Sequence, residues 1–202
     1  MKIAYFLLIL FTLSFQRKNN FLKILEDTDD CKEKSFLPNE ENVKIIGRFY
    51  QNKNITWIVH SGSSLEFYIT GNSAEISLVG DSNIYSDINL RPRFGIYIND
   101  KLLLDLLMND LELNVKLFEN EEEKKIKVKI MLLSENKYGG IGIKNINVYT
   151  CKNLKIIEPV ETKNLSIEFI GDSMTCAYGV EEKDENEHFK TSQKILVNHM
   201  HI

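Results

Sequence analysis

The chain has 202 residues, 43% hydrophobic and 27% charged, which suffices for one large or two small domains with a packed core. Its formal net charge is −4, with Lys and Glu interspersed as on a solvated surface. That balance excludes a broad electrostatic partner: neither nucleic acid nor an anionic membrane surface is expected.

Met1-Lys2 is a short positive start, followed by the apolar run Ile3 to Phe15, "IAYFLLILFTLSF". This falls short of the roughly 20 residues a membrane-spanning helix needs. Its length and position fit the apolar centre of a secretory signal peptide, assigned to residues 1–16. A secreted protein is therefore expected, with no membrane association once the signal is removed. Residues 17–42, with "EDTDDCKEK" and "PNEEN", read as a polar linker. Cys31, Cys151 and Cys176 match no zinc spacing; in an oxidising compartment they allow one disulfide and one free thiol. Asn54-Ile55-Thr56 and Asn164-Leu165-Ser166 are sequons, usable only in a host that glycosylates secreted chains.

Residues 43–150 read as strands. "VKIIGRFY", "ITWIVH", "SLEFYIT" and "AEISLVG" are β-branched and aromatic runs, and "QNKN", "SGS" and "TGNS" between them have turn chemistry. Leu65, Phe67 and Ile69 alternate with Glu66, Tyr68 and Thr70, so one face should be buried. Asn99-Asp100 between apolar runs reads as a hairpin. Leu102 to Leu117 reads as strand, turn, strand, with a short Leu-rich helix as the alternative. "KKIKVKIML" and "GIGIKNINVYT" complete a set of short strands that predicts a mainly β, jelly-roll-like sandwich. Residues 151–166 read as an interdomain linker, and Ile167 to Ile170 as a new strand that opens residues 167–202.

That strand runs into Gly171-Asp172-Ser173. A serine hydroxyl is a weak nucleophile that needs a base for its proton and donors for the oxyanion. A glycine permits a tight turn, and a serine starting a helix places free backbone N–H groups beside the reacting oxygen. Gly-Asp-Ser alone is weak evidence, because Asp-Ser commonly caps helices. Gly80-Asp81-Ser82 is a second copy in the same chain, read here as an ordinary turn.

The wider block "IEFIGDSMTCAYGV" is far more specific. It resembles the first block of the SGNH (GDSL-type) hydrolases and, more narrowly, the acetylesterases of carbohydrate esterase family two. The resemblance runs from Val43 to Gln193 through "GRFY", "WIVHSGSSLEFYITGNSAEISLVGD", "RFGIYIND", "LLSENKYGGIGIKNINV" and "ENEHFKTS". It implies an N-terminal β-sandwich followed by the first strand and partial helix of an α/β SGNH domain. It also implies removal of acetyl groups from plant cell-wall polysaccharides such as xylan or glucomannan by a monomeric enzyme without metal or cofactor. Ser173 matches the nucleophile, and its backbone N–H matches an oxyanion donor. Asp172 matches the block-one aspartate that shapes the turn, and Gly171 its glycine. Met174 and Ala177 stand where the family more often has Ile and Gly, away from the chemistry.

The family's later blocks supply an oxyanion glycine and asparagine and the catalytic histidine. They have no counterpart after Gln193, where the chain reads "KILVNHMHI". His188, His199 and His201 follow the serine and His60 precedes it, but none stands in a matching motif. The 202-residue chain is therefore expected to release no acetate above a Ser173→Ala control. The alternative is a carbohydrate-binding or accessory sandwich without catalysis. Trp57, Tyr50 or Tyr68 would then stack on sugar rings, although core packing is the favoured reading of Trp57.

Overall fold

Runs that alternate apolar and polar residues form strands because only a period of two puts every apolar side chain on one face. The computed structural model describes residues 31–151, 155–162, 190 and 191. In them these runs form ten strands: β1 (Lys32–Phe36), β2 (Lys44–Ile46), β3 (Phe49–Asn52), β4 (Ile55–Ile58), β5 (Ser64–Gly80), β6 (Arg93–Ile98), β7 (Lys101–Leu107), β8 (Glu112–Leu132), β9 (Ile141–Thr150) and β10 (Ile157–Pro159). The order across the curled antiparallel sheet is β3-β4-β9-β5-β8-β6-β7, with β1 added beside β9, and β2 and β10 beside β5. The expected mainly β fold is what forms. The expected signal peptide (1–16) lies outside the described residues, as does the start of an SGNH domain apart from residues 190 and 191.

The long strands β5 and β8 pair with each other from Ser64↔Met131 to Val79↔Glu112. Leu65, Phe67 and Ile69, at odd positions of β5, are fully buried. Beyond the register shifts at Gly71/Ser73 and Ala74/Glu75, the buried residues are Ala74, Ile76 and Leu78, at even positions. β8 changes phase in the same way, from Leu117 to Ile126, Val128, Ile130 and Leu132. A one-residue shift moves a strand's apolar set to its other face. A strand that bends at a bulge while changing phase therefore keeps its apolar side on one core, and all these residues belong to a single cluster. This corrects the turn expected at "TGNS", which lies within β5. Gly71 makes the crossing possible: a Cβ there would sit 2.7 Å from Val148 Cγ1 and 2.9 Å from the Tyr149 carbonyl oxygen.

Both two-residue hairpins form. Lys53 and Asn54 join β3 to β4 with φ of 49° and 65°, and Asn99 and Asp100 join β6 to β7 with φ of 50° and 65°. Asn and Asp tolerate this left-handed conformation better than most residues. Asn99 Oδ1 also accepts from the Lys127 N–H at 3.0 Å. Leu102 to Leu117 is strand, turn, strand, as expected, and not a helix.

Both expected linkers contribute strands. β1 lies inside residues 17–42 and pairs with β9 from Lys32↔Thr150 to Phe36↔Ile146. β10 lies inside residues 151–166 and pairs Ile157 with Ile69 and Pro159 with Phe67. Each is short, and β1 is also polar by composition; pairing with an edge that the longer strands leave open is what orders them. Cys31 and Cys151 are both disulfide-bonded. The chain has three cysteines, so two that are both bonded must be each other's partners.

Candidate functional site

Gly171, Asp172 and Ser173 lie outside the described residues, as do His188, His199 and His201. His60 is described. It is half-buried in the turn before β5, where its carbonyl oxygen accepts from the Ser63 N–H at 2.9 Å.

The second Gly-Asp-Ser copy is fully visible and is structural, as expected. Asp81 Oδ1 accepts from the Asn83 N–H at 2.9 Å, capping the short 3₁₀ turn Ser82–Tyr85. Its Oδ2 accepts from the Gly140 N–H at 2.8 Å, tying this turn to the loop before β9. Both carboxylate oxygens are thus engaged with backbone donors, and no nucleophile is positioned. Asp81→Ala is expected to cost about 1–2 kcal/mol, the scale of a lost cap, read as a lower denaturant midpoint with an unchanged m-value.

The chain beyond β10 stays in contact with the sandwich where it is described. Val160 N–H donates to the Glu66 carbonyl at 3.4 Å, and Lys44 Nζ to the Glu161 carbonyl at 3.2 Å. Fully buried Thr191 donates its hydroxyl to the Asn89 carbonyl at 3.0 Å.

The aromatic candidates divide. Tyr68 is half-buried, with the Lys125 ammonium 4.5 Å from its ring centroid, and Lys125 is paired with Glu158. The carboxylate of Glu158 is held below its usual pKa, first by the Lys125 hydrogen bond. This ring is covered by an ion pair. Trp57 is not a core residue: Thr56 and Ile58 take the inner side of β4, and the indole lies on the outer side. Alternation decides this, since neighbouring strand residues point to opposite faces.

Trp57 pairs across the sheet with Tyr50 on one side and Gly142 on the other. The Tyr50 and Trp57 rings are parallel to within 6°, with centroids 6.0 Å apart. The indole rests over Gly142, where an added Cβ would come within 3.0 Å of Cε2. Tyr50, on the edge strand β3, is 49% exposed. The outward side chains of β9 then continue through Asn145 and Asn147 to Tyr149, which is 45% exposed. Asn145 Nδ2 donates to Asn147 Oδ1 at 2.8 Å and to Ser35 Oγ at 3.2 Å. Beside Tyr149 is a hollow of about 390 Å³, lined also by Glu33, Ser73, Glu75, Lys116 and Asn147. Lys116 is bonded to Glu119 at 2.7 Å, which raises the ammonium's pKa and lowers the carboxylate's. Of this face, sequence reasoning named only Tyr50 and Trp57. Tyr149 was legible as an outward residue of an alternating strand, but nothing in the sequence places it in line with Trp57.

No family model and no curated protein matches the chain. Solved structures do match in fold. A family two carbohydrate esterase from Cellvibrio japonicus aligns at a TM-score of 0.67 and 17% identity, over 82% of this chain and 46% of that one. An acetyl xylan esterase from the rumen bacterium Butyrivibrio proteoclasticus aligns at 0.64 and 18%, over 82% and 43%. A family two carbohydrate esterase from Clostridium thermocellum, in complex with cellohexaose, aligns at 0.59 and 24%, over 76% and 44%. The chain shares the fold of these carbohydrate esterases and spans less than half of their length.

Proposed function

We propose that this chain is the leading part of a secreted family two carbohydrate esterase that removes acetyl groups from plant cell-wall polysaccharides such as xylan or glucomannan. The observation that carries this reading is a coincidence of order. The block "IEFIGDSMTCAYGV" follows directly on a β domain, and that domain has the fold of esterases. A short motif arising by chance would have no reason to stand there.

In the proposed reaction the Ser173 oxygen attacks the acetyl carbonyl and passes its proton to a base. A carbon–oxygen bond forms, and the negative charge moves to the carbonyl oxygen, where the Ser173 N–H is one donor. The sugar oxygen leaves and takes up a proton, and water then cleaves the acetyl-serine to acetate and free serine. Gly171 and Asp172 shape the turn. None of these steps calls for a metal or a cofactor. Secretion is supported by the apolar leader Ile3 to Phe15 and by the Cys31–Cys151 disulfide, a bond typical of oxidising compartments.

The test is acetate release from acetylated xylan and acetylated glucomannan by the protein translated from the native transcript. Release from either one supports the reading. No release from both overturns it.

A further inference from the structure

We propose that the outer face of the β3–β4–β9 run of the sheet, flanked by β1 and β5, binds an extended, neutral polysaccharide of pyranose rings, with Tyr50 and Trp57 at one end and Tyr149 at the other. This does not rest on Ser173, since every residue of the face belongs to the sandwich.

The two ends supply stacking surfaces. Tyr50 and Trp57 present parallel rings, and Gly142 leaves the space in which the indole lies down on the sheet. An aromatic pair on the outer side of a sheet, with Tyr50 exposed and Trp57 half-buried beneath it, contributes nothing to the core, which Thr56 and Ile58 line instead. Such rings carry large apolar area on few rotatable bonds, so they lose little entropy when a flat ligand covers them. The C–H face of a pyranose is a ligand of that shape.

Between the ends Asn145, Asn147 and Ser35 supply amides and a hydroxyl, with the Glu75 carboxylate opposite Asn147. They offer donors and acceptors together, as sugar hydroxyls do. From Gly142 to Tyr149 a strand rising about 3.3 Å per residue covers roughly 20 Å, a row long enough for several sugar units and not for one. The two cations bordering the row are paired, Lys144 with Glu112 at 2.9 Å and Lys116 with Glu119 at 2.7 Å. Glu33 opposite Tyr149 and Glu75 opposite Asn147 repel an anion. The charge pattern therefore fits a neutral chain and disfavours an acidic one.

The test is affinity electrophoresis of the whole chain through gels containing soluble xylan, glucomannan or polygalacturonate. Retardation is expected in at least one of the two neutral gels. Tyr50→Ala and Tyr149→Ala are each expected to weaken it about tenfold or more, the scale of a binding hot spot. Tyr50→Phe keeps the ring and should bind like the native chain. Both tyrosines are exposed, and thermal melts confirm that each variant is folded before its binding is read. The proposal is overturned by no retardation in either neutral gel, by retardation only in polygalacturonate, or by native-like binding of either alanine variant.

Discussion

Reduction of the disulfide, or replacement of Cys31 and Cys151 by serine, is expected to destabilise the sandwich by about 5 kcal/mol in the chain-entropy account. The bond closes a loop of 120 residues (151 − 31), and such a closure removes many conformations from the unfolded chain alone. It also stands at the end of the β1–β9 ladder, next to the Lys32↔Thr150 pair. β1 is five residues long and mostly exposed, so little else holds it. Thermal unfolding with and without dithiothreitol measures the effect. A loss of that size should lower Tm by roughly 10–20 °C, and the double-serine variant should be insensitive to the reductant. An equal Tm in both conditions would show that the native sheet, not the cross-link, sets the stability.

Ser173→Ala is expected to reduce acetate release by at least about 10³-fold, since loss of an acyl-transfer nucleophile removes the covalent route altogether. This rests on the proposed esterase reading. The chain carries its own control in Ser82, which stands in the same tripeptide. Its neighbour Asp81 has both oxygens committed to the N–H groups of Asn83 and Gly140. Ser82→Ala should therefore leave turnover unchanged. The comparison is made on the protein translated from the native transcript, as initial rates on acetylated xylan. Equal loss in both variants would point to damage to the fold, and no loss in Ser173→Ala would remove that serine from the reaction.

Several features needed only local physics. Leu65, Phe67 and Ile69 announced a buried strand face because alternation has one explanation in a strand. Asn99-Asp100 announced a hairpin because few residues accept positive φ at both turn positions. Gly80-Asp81-Ser82 announced a turn because an aspartate side chain caps the first N–H groups of a short helical turn. The block around Ser173 offered a candidate nucleophile through a motif, which sequence carries without coordinates.

Other features depended on partners far along the chain. Thr70 to Ser73 has the composition of a turn, yet β8 and β9 flank it and hold it in one continuous strand. β1 and β10 lie in segments too short and polar to declare themselves, and only the open edges of β9 and β5 make them strands. Trp57 is an apolar residue in an apolar run, and which face it joined was set by the neighbours that fill the core. The line from Tyr50 across Gly142 and along β9 to Tyr149 joins residues that sequence keeps nearly a hundred positions apart. Composition and periodicity thus determined the class of fold, and a motif's resemblance to a family offered the candidate nucleophile. Register, edge pairing and the disulfide partner came from the tertiary structure, because each depends on which strands meet and not on any one strand's own residues.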